Sequence, residues 1–254
     1  MPIGGYLCFI GFLEDFLRMS LVVKAESLEN LYGRFYCEEA INCYQNKHLQ
    51  NPLTQEEIGR LFEQNEALRR ILFDALMRIE ASYSALLIRL MDEYARKHPQ
   101  GYGNPDFWYR KTDFSSLRFE DLQENIKAYK LLAFQSFGTL VAIHRKTPEG
   151  VKKSIVRYIQ LPKKHYKGWQ ALDLFKSFVG LRNYVTHNRW LIREEYKHKP
   201  LGYDPSCQQS QLGKYVEWIQ HVLNRLDPSS AIRFQRSISE LKKALPDAVV
   251  TLYF

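Results

Sequence analysis

The fold is decided by residues 54–99, which read TQEEIGRLFEQNEALRRILFDALMRIEASYSALLIRLMDEYARKHP. Thr54 and Glu57 have the spacing of a capping box, which predicts that a helix begins here. Apolar residues then recur at steps of three and four until His98 and Pro99 end the pattern. We therefore expect an amphipathic helix of about 40 residues that runs the length of the domain. Its apolar stripe consists of Leu61, Leu68, Leu72, Ala75, Ile79, Tyr83, Leu86 and Leu90.

The rest of the chain repeats this helical periodicity, so we expect an all-α fold. Gly138 is expected to mark a close contact between two helices, and Val249–Phe254 alternates weakly, which predicts a short strand or an extended strap. We expect two parts, a helical appendage over residues 1–53 and a helical domain over residues 54–254. Further helices are predicted at 120–145, Trp169–Tyr196, Tyr215–Leu226 and Ala231–Leu245.

Composition and charge narrow the class of protein. Of 254 residues, 45% are hydrophobic and 25% are charged, which is typical of a folded globular chain. The net charge of +8 favours polyanionic partners such as RNA. The four cysteines form no CxxC pair, which indicates a reduced, cytoplasmic setting without a metal site or other cofactor. The apolar run at residues 3–13 is too short to span a membrane, and no membrane partner is expected.

Residues that could carry chemistry are concentrated in residues 178–190, which read FVGLRNYVTHNRW. An imidazole such as that of His187 can move a proton between a ribose 2′-OH and a leaving 5′-oxygen, and the Arg182 guanidinium can stabilise the charged phosphorane. Asn183 could orient the imidazole or bind a phosphate oxygen. On an ideal helix Arg182 and His187 differ by roughly 140° about the axis, so two copies facing each other could complete one site.

Spacing alone does not decide between this site and a surface helix that carries Arg and His by chance. His144 lies at the end of a predicted helix, where the macrodipole favours cations, and is not expected to be catalytic. The basic segment Lys152–Lys167, which contains interleaved aromatic residues, could follow an RNA backbone or could be a solvated face. Its cations, together with Arg189 after the motif, are the candidate RNA-binding residues: Lys152, Lys153, Arg157, Lys163, Lys164 and Lys167.

Four segments, in this order, resemble the Abi-like (AbiD/AbiF) family of the HEPN superfamily: Leu68–Glu80, Phe107–Tyr109, Ser136–Leu140 and Leu181–Trp190. The resemblance covers residues 60–195 and implies a HEPN-type helical bundle with additional N- and C-terminal helices, acting as a homodimer. It also implies a metal-independent endoribonuclease that leaves a 2′,3′-cyclic phosphate. Arg182, Asn183 and His187 occupy the positions of the family's catalytic motif.

The resemblance also predicts the biological role, a toxin-like effector of prokaryotic antiviral defence by abortive infection. The resemblance further implies that a small structured RNA restrains such an enzyme, as in a toxin–antitoxin pair. The alternative is a non-catalytic RNA-binding module that uses the same basic helix to hold a structured RNA. A protein-interaction adaptor is a third option, and it predicts no salt-dependent affinity for RNA.

Overall fold

A computed structural model describes residues 55–97, 132, 135–161, 168–187, 189–193, 195–204, 206, 210–245 and 247–254. Every regular element in these ranges is a helix, which confirms the all-α prediction. The predicted appendage and the aromatic cluster Phe107–Tyr109 lie outside the described residues. None of the described helices is both long and apolar enough to cross a membrane. The helices are α1 (Gln55–Lys97), α2 (Phe137–Lys146), α3 (Glu149–Tyr158), α4 (Gly168–Thr186), α5 (Gln211–Leu226), α6 (Pro228–Ala244) and α7 (Asp247–Tyr253).

Helix α1 is the element around which the others pack. Its 43 residues make it roughly 65 Å long at 1.5 Å per residue, and helices α2 to α6 all contact it. Its bounds match the predicted helix, and every residue of the predicted stripe is buried except Leu90, which is partly buried against the core. The hydrophobic periodicity therefore identified both the helix and the face that it buries.

An aromatic cluster joins α1, α2 and α4. The rings of Tyr83 and Phe175 stack with their centroids 4.0 Å apart, and Phe137 meets both rings edge-on. Phe178 extends the cluster one turn along α4 at 6.2 Å from Phe175. All four side chains are fully buried. Because such rings bury large apolar areas and prefer tilted or offset contacts, they fix how α4 lies on α1.

The predicted helix over residues 120–145 is interrupted. Leu132 is helical, but Gln135 and Ser136 are not, and α2 begins only at Phe137. Ser136 is extended, and its hydroxyl accepts a hydrogen bond from the backbone N–H of Thr139 at 3.3 Å. Ser136 is thus the N-cap of a new helix, and the prediction of one continuous helix is wrong.

Two other predictions about helix bounds are wrong. Helix α4 ends at Thr186 rather than at Tyr196, and Val249–Phe254 belongs mostly to helix α7 rather than to a strand. The end of α7 is fastened to α5, because the Ser210 hydroxyl donates to the carbonyl oxygen of Tyr253 at 2.5 Å. The predicted helices Tyr215–Leu226 and Ala231–Leu245 are confirmed as α5 and α6, with Asp227 capping α6 through its carboxylate.

Gly138 does not mark a close helix contact, and the tightest approach to a described glycine of α2 or α4 is made at Gly180 by the non-helical segment that contains His198. A Cβ atom added to Gly138 would lie 3.8 Å from Val179, which is an ordinary van der Waals distance. A Cβ atom added to Gly180 would lie 2.5–2.7 Å from the side chain of His198, including its Cβ. The chain that follows α4 therefore folds back over Gly180, and the carbonyl of His198 accepts a hydrogen bond from the Tyr215 hydroxyl.

We predict that Gly180→Ala lowers the free energy of unfolding by about 1–3 kcal/mol, because the segment at His198 has to move away. The gain in helix propensity, about 1 kcal/mol at most, is too small to offset this overpacking. Urea unfolding measures the change. Gly138→Ala is the matched control and should leave stability unchanged or slightly higher, and equal effects at both glycines would contradict the assignment.

Candidate active site

The candidate catalytic residues lie together at the C-terminal end of α4. Arg182 and Asn183 are in its last turns, and His187 is in the turn directly after Thr186. The N–H of His187 still donates to the carbonyl of Asn183 at 3.0 Å, so the backbone of His187 continues the helical hydrogen-bond pattern by one residue. Asn183 and His187 are exposed, whereas Arg182 is partly buried. The site is therefore open to a ligand on the side of the amide and the imidazole.

Arg182 is held against the long helix by an ion pair. Its Nε lies 3.5 Å from Oε2 of Glu80 on α1, and the two side chains are 29% and 13% exposed. Both of these atoms are buried, and the described residues offer neither of them a hydrogen bond of good geometry. Because a buried charge is costly without its partner, loss of Arg182 would leave the Glu80 carboxylate poorly compensated. Arg182→Lys is consequently a cleaner test than Arg182→Ala.

Arg69 of α1 caps the end of α4. Its Nη1 donates to the carbonyl oxygen of Val185 at 2.8 Å, and its Nη2 donates to that of Arg189, also at 2.8 Å. The last carbonyl groups of a helix have no partner within the helix, so a guanidinium fork satisfies them well. The two bonded carbonyls stand on either side of His187 in the sequence.

Asn65 fixes the chain just beyond this turn. Its side chain is fully buried, and its Oδ1 accepts hydrogen bonds from the backbone N–H groups of Leu191 at 2.9 Å and Ile192 at 3.0 Å. The ring of Trp190 packs on Phe62 of α1 with a centroid distance of 5.1 Å. The segment that follows His187 is thus held by both polar and apolar contacts to α1.

The predicted RNA-binding residues divide into three groups. Lys152, Lys153 and Arg157 lie on α3, where Lys153 and Arg157 are exposed and Lys152 is half-buried. Arg189 is partly buried next to the candidate site. The remaining three, Lys163, Lys164 and Lys167, lie outside the described residues.

The cations of α3 do not meet the candidate catalytic residues. Helix α3 reaches α1 near Arg89, whose guanidinium lies 4.9 Å from the ring centre of Tyr158, while the end of α4 reaches α1 near Arg69. Along the helix axis, Arg89 lies about 30 Å from Arg69 and about 14 Å from Glu80, the partner of Arg182. One phosphate group cannot contact both places, so an RNA that used both would have to extend along α1.

Sequence reasoning missed the three α1 residues that hold the site, Asn65, Arg69 and Glu80. A signal for Asn65 was present, because it interrupts the apolar stripe between Leu61 and Leu68. Polar residues at buried positions require hydrogen-bond partners, which the sequence does not identify. Arg69 and Glu80 fall within Leu68–Glu80, one of the segments that carried the family resemblance.

His144 belongs to the core, and the interpretation of it as a cation at a helix end is wrong. Its side chain is fully buried, and its Nδ1 is hydrogen-bonded to the Tyr83 hydroxyl, 2.6 Å away. Burial, with a smaller contribution from the charge of Lys152, lowers the pKa of His144 to about 3. His144 is therefore neutral at physiological pH, and the macrodipole does not explain it.

No three His, Cys, Asp or Glu side chains of the described residues are grouped closely enough to bind a metal ion.

The fold and the site define an all-α protein in which a long helix holds an Arg–Asn–His cluster at the end of a second helix. A family model described as Abi-like protein matches residues 27–193, more than half of the chain. The chain belongs to the Abi-like protein family. This membership is consistent with the expected assignment to the HEPN superfamily, and it suggests a part in abortive infection. No curated protein and no solved structure matches the chain.

We predict that His144 makes stability depend on pH. Between the unfolded pKa of about 6.5 and the folded pKa of about 3, the unfolded chain binds a proton at His144 that the folded chain excludes. Stability is therefore lost as the pH falls below 6.5, by up to about 1.4 kcal/mol per pH unit.

His144→Asn keeps an acceptor for the Tyr83 hydroxyl but cannot titrate. Urea unfolding between pH 7 and pH 4 should show a shallower pH dependence for this variant than for the wild type, even if its stability at pH 7 is lower. Parallel curves for the two proteins would show that His144 is not the titrating group.

Proposed function

We propose that this protein is a cytoplasmic, metal-independent endoribonuclease that acts as a toxin-like effector in abortive infection, with Arg182, Asn183 and His187 as its catalytic residues. The observation that carries the proposal is the end of α4. There an exposed imidazole follows an exposed amide by about one helical turn and a partly buried guanidinium by about one and a half turns. Membership of the Abi-like family gives this cluster a biological setting.

The residue types match transesterification of RNA. The His187 imidazole removes the proton of a ribose 2′-OH, the 2′-oxygen attacks phosphorus, and the P–O5′ bond breaks. The Arg182 guanidinium stabilises the negative charge of the phosphorane, and Asn183 binds a phosphate oxygen or orients the imidazole. The leaving 5′-oxygen takes up a proton from water, the imidazolium of His187 returns its proton to the solvent, and the other product ends in a 2′,3′-cyclic phosphate.

The alternative function is a non-catalytic RNA-binding module that grips a structured RNA. The observation that favours it is the exposed basic face of α3, formed by Lys153 and Arg157, which meets α1 near Arg89 and apart from the candidate catalytic residues. Such a face contributes affinity through phosphate contacts without contributing chemistry. In the leading proposal the same face holds the substrate or a small structured RNA that restrains the enzyme.

We predict that the wild-type protein cuts single-stranded RNA in the presence of EDTA and that His187→Ala lowers kcat by at least 100-fold, because proton transfer is lost. The affinity for RNA should change no more than about twofold, since the imidazole contributes one contact among several. Gel assays of cleavage and filter binding of a non-cleavable 2′-deoxy analogue measure the two effects.

His198→Ala is the control, because His198 is an exposed histidine of the segment that follows the site. It should cleave RNA like the wild type. Strict dependence on Mg²⁺, or full cleavage by His187→Ala, would contradict the proposed enzyme. RNA binding without any cleavage by the wild type would support the binding module instead.

We also propose that two chains pair so that each contributes to a composite site. The ion pair with Glu80 turns Arg182 towards α1, whereas His187 is exposed after the helix end. Since their directions on an ideal helix differ by roughly 140°, one chain does not readily aim both groups at one phosphate. A twofold arrangement would bring the guanidinium of one chain to the imidazole of the other.

We predict complementation between two variants that each lack one catalytic group, since Arg182→Lys keeps the charge but loses the planar guanidinium. Mixing Arg182→Lys with His187→Ala, followed by unfolding and refolding together, should restore cleavage to as much as a quarter of the wild-type level, because mixed pairs then hold one intact composite site. Each variant refolded alone is the control. Failure to regain activity, in mixtures shown by tagged pull-down to contain mixed pairs, would contradict the composite site.

A further inference from the structure

The strongest contact between α1 and the candidate site is made by Arg69, which the catalytic chemistry does not use. The guanidinium bonds the carbonyls of Val185 and Arg189, residues 116 and 120 positions away in the chain. Within this stretch, the N–H of Arg189 also donates to the carbonyl of Tyr184 at 3.0 Å. The backbone on both sides of His187 is thus tied to one side chain of another helix.

Arg69 is itself held in place. Its Nε lies 3.2 Å from Oε1 of Glu66, one turn earlier on α1, and the Arg69 side chain is only 12% exposed. All three of its nitrogen atoms are therefore engaged, two with carbonyls and one with a carboxylate. A lysine could supply the charge but not a planar fork that reaches two carbonyls at once.

The chain beyond the turn has a separate anchor. Asn65 lies one turn before Arg69 on the same face of α1. Its Oδ1 accepts hydrogen bonds from the backbone N–H groups of Leu191 and Ile192. Removing the Arg69 fork would consequently leave this anchor and the core contacts of α4 in place. The change would be confined to the short turn that carries the imidazole.

We propose that Arg69 is a positioning residue for His187, which sets the place and direction of the imidazole at the end of α4. The expected loss of activity rests on the proposed nuclease function, whereas the expected displacement of the imidazole does not. A displacement of about 1 Å at a reacting group can lower a rate by about 100-fold, so a small movement of this turn would slow the chemical step.

The test is Arg69→Lys, with Arg70→Lys as the matched control because Arg70 is the next residue of α1 and is exposed. We expect Arg69→Lys to lower kcat by at least tenfold and to change KM by no more than about twofold. Arg70→Lys should leave kcat unchanged. Combined with His187→Ala, Arg69→Lys should cause no further loss, because it acts through that imidazole. A loss of kcat in the double variant beyond that of His187→Ala, or equal kcat for the two lysine variants, would overturn the proposal.

A second measurement does not depend on cleavage. The imidazole C–H signal of His187 in proton NMR, assigned from the spectrum of His187→Ala, should shift or broaden in Arg69→Lys. The signals of the buried His144 and of His221, which bonds the carbonyl of Ile159, should remain where they are. If the wild type cuts no RNA, the proposed function fails while this readout still tests the positioning. An unchanged His187 signal, or equal shifts of all three histidines, would overturn the proposal.

Discussion

The last carbonyl groups of a helix need hydrogen-bond partners from outside the helix, and in this protein the guanidinium of Arg69 provides them for the turn after α4. This requirement links a long amphipathic helix to the candidate catalytic residues. The fork reaches the two carbonyls at the place where α4 ends and the chain turns. The end of the helix and the turn that carries the imidazole are therefore held by the same side chain.

Helix α1 has two functions on neighbouring faces. One face buries the apolar stripe against α2 to α6, and the adjoining positions Asn65, Arg69 and Glu80 hold the end of α4. Because these positions are 4 and 11 residues apart, close to whole helical turns, they line up along the axis. A rigid helix with a packed face is a suitable support, since sites on regular elements hold their geometry better than sites on loops. Core stability and the geometry of the candidate site are coupled through this helix.

The polar residues fall into two groups, one buried and uncharged in the core and the other exposed at the surface. His144 and Tyr83 form a neutral hydrogen-bonded pair inside the core, where burial disfavours a charge on either group. His187 and Asn183 are exposed at the helix end, and the cations of α3 are exposed where that helix meets α1 near Arg89. The buried pair is therefore separate from both sets of exposed side chains.

The all-α class, the bounds of α1, the presence of α5 and α6 and the candidate residues could be predicted from the sequence, because these follow from local periodicity, caps and a short motif. The start of α2 was also a local signal, since Ser136 and Thr139 have the spacing of a cap, but the apolar periodicity obscured it. Only the tertiary structure decided where α4 ends, which residues hold His187 and that His144 is neutral. The physical reason is that these outcomes depend on partners more than 60 residues away: Arg69 and Asn65 for the turn, and Tyr83 for the buried imidazole.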